Sequence, residues 1–144
     1  MKSISINNTI LDKMIVDKPR LINLPKMLDE RGNLSVIEEN NIPFDIKRTY
    51  WIYDVPGGGM RDGHAYRKNH EFIVALSGSF DVLVDNGTEI ETFSLNRSYY
   101  GLYVPNGLWR QFFNFSTNSL ALVLASTHYD LSDYICDYDL FKER

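Results

Sequence analysis

The feature that most constrains this chain is a series of short β-type runs, each cut off by a turn signal and never separated by a long helical pattern. Leu34, Ser35, Val36 and Ile37 follow the turn Asp29-Glu30-Arg31-Gly32-Asn33. Residues 46–53 are rich in β-branched and aromatic side chains and stop at Asp54-Val55-Pro56-Gly57-Gly58-Gly59. Phe72, Val74 and Leu76 alternate, as do Phe80, Val82 and Val84 beyond the Ser77-Gly78 turn. Such alternation puts every second side chain on one face of a pleated strand. Further strands are predicted over 89–93, 99–104, 109–115 and 120–125. The Asp85-Asn86-Gly87 step predicts a hairpin, because Asn-Gly suits the positive φ angles of a type I′ turn. Strands this short at this spacing predict an all-β sandwich or barrel rather than a βαβ fold. Beyond Thr127, the stretch 129–135 predicts one or two short helical turns, with Asp130 or Ser132 as the cap.

One domain accommodates this pattern. No linker, repeat or low-complexity stretch divides residues 1–144, and a chain of this length buries a core of its own. A hydrophobic content of 44% and a charged content of 24% match a soluble globular protein. The formal net charge of -4 gives no general attraction to nucleic acid or to an anionic membrane, so a phosphate-bearing ligand needs a local cluster of Arg or Lys. Aromatic residues reach 13%, more than a core of this size requires, which leaves rings to line a ligand cleft. The single Cys136 rules out an internal disulfide and a cysteine-based zinc site, and reads as a reduced thiol. No apolar run is long enough to span a bilayer, and Met1-Lys2-Ser3-Ile4-Ser5-Ile6-Asn7 lacks the continuous apolar stretch of a signal peptide. The expected location is the cytoplasm.

The chemistry concentrates in Gly63-His64-Ala65-Tyr66-Arg67-Lys68-Asn69-His70-Glu71, followed by Gly78. Positions i and i+2 of a strand share a face, so His64 and Tyr66 project into one cavity, with Glu71 entering from the adjoining strand. Downstream stand Pro105-Asn106-Gly107-Leu108-Trp109-Arg110 and then Asn114. These two stretches resemble the two cupin motifs, the first built on His-x-His, Glu and Gly, the second on Pro-x-Gly, His and Asn. The resemblance implies a cupin double-stranded β-helix, or jelly roll. Tyr66 and Arg110 occupy the places where a metal-binding cupin has its second and third His. Metal ligation needs neutral imidazoles and carboxylates, and a protonated guanidinium repels a divalent cation. Neither a metal nor another cofactor is therefore expected.

The likeness extends beyond the generic pattern. Glu38-Glu39-Asn40-Asn41-Ile42-Pro43-Phe44-Asp45-Ile46-Lys47-Arg48, Arg61 with His64-Ala65, Gly101-Leu102-Tyr103-Val104, Leu122-Val123-Leu124-Ala125-Ser126, and Tyr129-Asp130 with Asp133-Tyr134-Ile135 resemble the nucleotide-sugar 3,4-ketoisomerases, the WxcM-like cupins. The resemblance runs from about Leu21 to Phe141. It implies conversion of dTDP-4-keto-6-deoxyglucose to a 3-keto isomer for the deoxyamino sugars of surface glycans. It also implies a homodimer with an N-terminal strand exchanged between subunits. The chain departs from the family where Tyr66 replaces the second His of His-Ala-His, and where Glu71 replaces the usual Gln.

Such a reaction removes the C3 proton, which the C4 carbonyl acidifies, passes through an enediol and returns a proton to C4. His64 is the candidate base, because imidazole titrates near neutrality. Tyr66 is a candidate acid and, with an ordinary pKa of about 10, a reluctant base. A cation such as Arg110 or Arg31 is expected to lower that pKa and to stabilise the enediolate. Arg31, Arg48, Arg61 and Arg67 are the candidates for ligand contact, since arginine grips phosphate in a forked geometry. Tyr50, Tyr103 and Trp109 are candidates for stacking or sugar contact, as is Trp51, although the neighbours Tyr50 and Trp51 cannot both face the cavity. Against each stands a plainer role: a structural histidine, a ring filling space, a solvated arginine. His70 and His128 carry only the plainer one. Three functions stay open on these residues: the ketoisomerase, an epimerase of a similar nucleotide keto sugar with Tyr66 as proton donor, and a cupin that binds a sugar nucleotide without catalysis.

Overall fold

A computed structural model describes residues 18–38 and 40–144, with the Asp62 side chain outside the description. The signal-peptide and single-domain readings of residues 1–17 therefore lie outside the described residues. The strands are β1 (Arg20–Asn23), β2 (Lys26–Met27), β3 (Leu34–Ser35), β4 (Arg48–Tyr53), β5 (Arg61–Tyr66) and β6 (Glu71–Ser77). They continue as β7 (Phe80–Asp85), β8 (Ile90–Leu95), β9 (Tyr100–Val104), β10 (Trp109–Phe113), β11 (Leu120–Ala125) and β12 (Tyr134–Ile135). Two five-stranded antiparallel sheets, ordered β1-β9-β6-β11-β4 and β12-β5-β10-β7-β8, face each other, and β2 pairs separately with β3. The all-β jelly-roll expectation holds.

The apolar patterns explain the layering. Ile73, Val82, Leu102, Phe112 and Val123 meet between the sheets as the main core. β6 is apolar on both faces for a reason: Ile73 and Ala75 look inward, while Phe72 and Val74 pack beneath Leu24 and Ile42 on the outer face. A third cluster, Ala65, Trp109, Ile135 and Phe141, covers the outer face of β5, β10 and β12. Gly63 belongs to that contact. A Cβ there would fall 2.7 Å from Cε2 of Trp109, so only glycine lets the indole lie flush on β5.

The structure corrects two local expectations. The hairpin after Asp85 is not a two-residue type I′ turn, since β8 begins only at Ile90 and Gly87, not Asn86, takes the positive φ of 99°. Asn86 Oδ1 instead accepts from the backbone N–H groups of Thr88 and Glu89, at 2.9 and 2.8 Å, and this Asx geometry widens the loop. At the C-terminal end, Asp130 caps a 3₁₀ turn, Leu131–Asp133, as expected, with Ser132 N–H donating to it at 3.0 Å. Tyr134 and Ile135, however, are β12, because they pair with Tyr66 and Ala65 and satisfy the open edge of β5. A short helix, α1 (Tyr138–Glu143), follows with Asp137 as its cap. Among the described residues no helix is long and apolar enough to cross a membrane.

Candidate active site

β5 sets the first pair. His64 and Tyr66 stand two residues apart, and their rings meet edge to face with centroids 4.8 Å apart. In the antiparallel register Arg110 on β10 lies directly opposite His64, so both side chains share one face. The opposing sheet supplies Tyr50 from β4 and Glu71 from β6. Arg110 Nε donates to Glu71 Oε1 at 2.8 Å, and Arg110 Nη2 donates to the Tyr50 hydroxyl at 2.9 Å. The Tyr50 hydroxyl in turn donates to Glu71 Oε2, which also accepts from Tyr66 at 3.3 Å. Glu71 is 1% exposed and Arg110 4%, so this ion pair spans the barrel interior out of water.

A cavity of about 730 Å³ opens over the cluster, lined by His64, Tyr66, Arg110, Tyr50, Arg48 and Arg61 among others. Arg48 runs past the rings of Tyr50 and Tyr129, 5.8 Å from each centroid, and its buried Nε has no hydrogen-bond partner among the described residues. Tyr50 points inward to Glu71, while Trp51 is more than half exposed, touching both the cavity edge and the outer face of the sheet.

The electrostatics reverse one expectation. Arg110 was to lower the Tyr66 pKa, yet it is raised well above the usual phenol range: burial pushes it up most, the Glu71 carboxylate adds to this, and Arg110 opposes without prevailing. Tyr50 is raised by the same two causes in the same order. Burial alone would pull the Arg110 guanidinium down, but Glu71 and the two phenols hold it above its ordinary value, as a permanent cation. Both phenols are thus neutral hydrogen-bond donors.

The remaining expected ligand residues lie elsewhere. Arg31 is on the exposed β2–β3 turn, paired to Asp29 at 2.7 Å, and that hydrogen-bonded pairing holds the Asp29 carboxyl at about 2. Arg67 is exposed and donates to the carbonyls of Ser132 and Tyr134, at 2.9 and 3.1 Å, fastening the 3₁₀ turn. Tyr103 is fully buried on the outer face of its sheet, its hydroxyl 2.8 Å from Nδ1 of His70. Trp109 packs against Tyr138 and Phe141 on the outer face of its sheet. None of these four lines the cavity. Two residues given no role by the sequence reading do matter. Glu71 anchors the cluster, and a carboxylate opening the buried run Phe72-Ile73-Val74-Ala75 is the signal, since such a charge needs a partner. Tyr134 lines the cavity beside His64 and Tyr66, with centroids at 5.0 and 4.7 Å. A two-residue strand leaves no periodicity by which to find it.

The donor set does not suit a metal. Among the described residues no three His, Cys, Asp or Glu converge, and the one carboxylate at the cluster is held by a guanidinium.

A jelly-roll barrel with His, Arg and Tyr converging beneath one mouth defines the chain as a cupin-type protein. The sequence profile of the family described as FdtA, WxcM-like, C-terminal, matches residues 17–144, and the chain belongs to that family. A TDP-4-oxo-6-deoxy-alpha-D-glucose-3,4-oxoisomerase of Aneurinibacillus thermoaerophilus is 44% identical over 125 residues, 86% of this chain and 90% of the relative. The X-ray structure of the WlaRB TDP-quinovose 3,4-ketoisomerase from Campylobacter jejuni superposes with a TM-score of 0.84 at 37% identity, covering 88% of this chain and 98% of that one. A mutant of the QdtA 3,4-ketoisomerase from Thermoanaerobacterium thermosaccharolyticum, in complex with TDP-4-keto-6-deoxyglucose, superposes with a TM-score of 0.84 at 36% identity, covering 87% and 91%.

Two outcomes follow from the cluster. Glu71→Ala leaves the buried Arg110 charge uncompensated and lowers unfolding stability by about 3–5 kcal/mol, read from urea midpoints. Because both phenols ionise above their ordinary range, kcat/KM of the intact protein shows no phenol limb between about pH 8 and 10; such a limb would place a titrating tyrosine in the site.

Proposed function

We propose that this protein is a 3,4-ketoisomerase of a dTDP-linked 4-keto-6-deoxyhexose, working without a metal in the cytoplasm, in deoxyamino-sugar formation for surface glycans. The observation that carries the reading is the cross-strand pair His64 and Arg110 on one wall of the cavity. An imidazole, a group that can take up and return a proton, stands beside a fixed cation, the arrangement that proton abstraction next to a carbonyl needs. His64 takes the C3 proton, and Arg110 stabilises the charge that develops on the enediolate. Arg48 and Arg61, which line the cavity, are the proposed grip on the diphosphate. The cavity volume is that of a small-molecule site. The epimerase reading asks Tyr66 to release a proton, whereas its hydroxyl donates to Glu71 and is raised in pKa, which favours the ketoisomerase.

The test is exchange with solvent. In D₂O with dTDP-4-keto-6-deoxyglucose, NMR is expected to show a 3-keto product with deuterium exchange confined to C3 and C4. Exchange at C5 would indicate an epimerase, and binding with no exchange a module without catalysis. His64→Ala is expected to lose about 10²–10⁴-fold in kcat; full activity in that variant would remove His64 as the base.

The working form we propose is a homodimer with an exchanged N-terminal strand. Support comes from the outer sheet face, where Trp51, Tyr53 and Leu76 are exposed around a groove of about 400 Å³ that Leu120 and Leu122 also line. An apolar face of this kind suits a second copy of the chain. Sedimentation at micromolar concentration is expected to give twice the 16.7 kDa chain mass; a monomer at all concentrations would overturn it.

A further inference from the structure

We infer that Asp133 is a positioning residue of the active site: its buried carboxylate clamps the turn after β5 to the chain before β12, and so holds the Tyr134 ring against His64. This rests on the ketoisomerase reading above, in which His64 is the base. Two rings pack on the imidazole. Its centroid lies 4.8 Å from that of Tyr66 and 5.0 Å from that of Tyr134, and the two phenol rings are 4.7 Å apart, so the three close a triangle. Rings in mutual contact leave the imidazole little freedom to swing about its χ angles.

Tyr134 is held in that triangle from outside its own strand. β12 has only two residues, paired with Tyr66 and Ala65. Further hold comes from Arg67, Lys68 and Asn69, which follow β5 directly. The Arg67 N–H donates to the Asp133 carbonyl at 2.9 Å, and its Nη1 donates to the carbonyls of Ser132 and Tyr134 at 2.9 and 3.1 Å. The N–H groups of Lys68 and Asn69 donate to Asp133 Oδ1 and Oδ2, at 2.7 and 3.1 Å. Asn69, itself 1% exposed, accepts at Oδ1 from the N–H groups of Ser126 and Thr127, at 3.0 and 3.1 Å. One turn thus grips both ends of the stretch 126–134, and it is continuous with the strand that bears His64.

Asp133 is the centre of the clamp. It is 8% exposed, and among the described residues no ion pair holds it. A carboxylate is costly to bury, and a neutral side chain would fasten a turn at less cost. What the charge adds is a pair of charge-assisted bonds to adjacent backbone N–H groups, stronger than neutral ones and set from two directions. Such rigidity matters for a base, since a misplacement of about 1 Å costs on the order of 10²-fold in rate. The arginines proposed for the diphosphate, Arg48 and Arg61, come from β4 and β5, outside the clamped stretch. Loosening the clamp therefore acts on turnover and spares nucleotide binding.

Asp133→Asn tests this, because it keeps the shape but offers one acceptor oxygen to two backbone N–H groups. Turnover of dTDP-4-keto-6-deoxyglucose is measured with active sites counted by dTDP titration. The variant is expected to show kcat per site about 10–100-fold below the unaltered protein, with dTDP affinity kept. Site counting removes any unfolded fraction, so a carboxylate that only stabilised the fold would leave kcat per site unmoved, and that result overturns the inference. Tyr134→Ala is expected to lose as much, Tyr134→Phe less because it keeps the ring, and the double variant Asp133→Asn with Tyr134→Ala no more than Tyr134→Ala alone. Additive losses would show that Asp133 does not act through Tyr134 and overturn the inference while the ketoisomerase reading stands. If Asp133→Asn yields no folded protein, Arg67→Ala removes two bonds of the same clamp from an exposed position, and an unchanged kcat per site there overturns the inference equally. If the unaltered protein forms no 3-keto product, the ketoisomerase reading falls and takes the inference with it.

Discussion

The contact on which the site depends is the buried pair between Arg110 and Glu71. Removing two opposite charges from water is costly, and their attraction offsets this only when geometry is good and the leftover donors and acceptors are satisfied. Here the remaining carboxylate oxygen takes two phenol hydroxyls, and a second guanidinium nitrogen binds one of those phenols. The pair also joins the two sheets, Arg110 coming from one and Glu71 from the other. It fixes the spacing of the walls beneath the cavity. A cation held this way needs no reorganisation when negative charge appears on the substrate, which is how a preorganised site lowers a barrier.

The same pair decides what the tyrosines can do. A phenol beside an arginine would ordinarily ionise more readily. Tyr66 and Tyr50 do the reverse, because they are buried and because the charge nearest their hydroxyls is a carboxylate. Glu71 therefore sorts the cluster: one fixed cation and two neutral phenol donors committed to the carboxylate, beside an imidazole outside that network. A glutamine at this position has a single acceptor oxygen, so it could take only one side of this set, and it would leave Arg110 without its counter-charge.

Strand existence was legible because period-two alternation survives even in runs of five or six residues, as in Phe80, Val82 and Val84 or in 120–125. Which side of a strand is covered was not. Tyr103 faces outward and is nonetheless buried, since Ile22, Leu24, Ile37, Ile42 and Phe44 fold back over that face, and alternation carries no trace of such a cover. Trp109 was expected to contact the ligand and instead faces outward from its sheet, held there by Phe141 of a helix too short to announce itself. His64, Tyr66 and Arg110 were found together because motif spacing reports strand register, which is local. Glu71 took its meaning only from the partner across the barrel, and Tyr134 only from the edge it pairs with. Arg31 and Arg67 show the limit for charged residues: an arginine that lines this chain's cavity and one that does not look alike in the sequence.

β12 carries a consequence for how the protein is made. Its two residues pair with Tyr66 and Ala65 and are the outer neighbour of β5, the strand that bears His64. A nascent chain that has not yet released Tyr134 and Ile135 therefore has an open hydrogen-bonding edge along its reactive strand. Such an edge invites pairing with a neighbouring chain on the same polysome. Tyr134 and Ile135 seal it, so the cavity wall takes its final form only once that stretch has been made, and a chain cut short of it keeps the sticky edge for good.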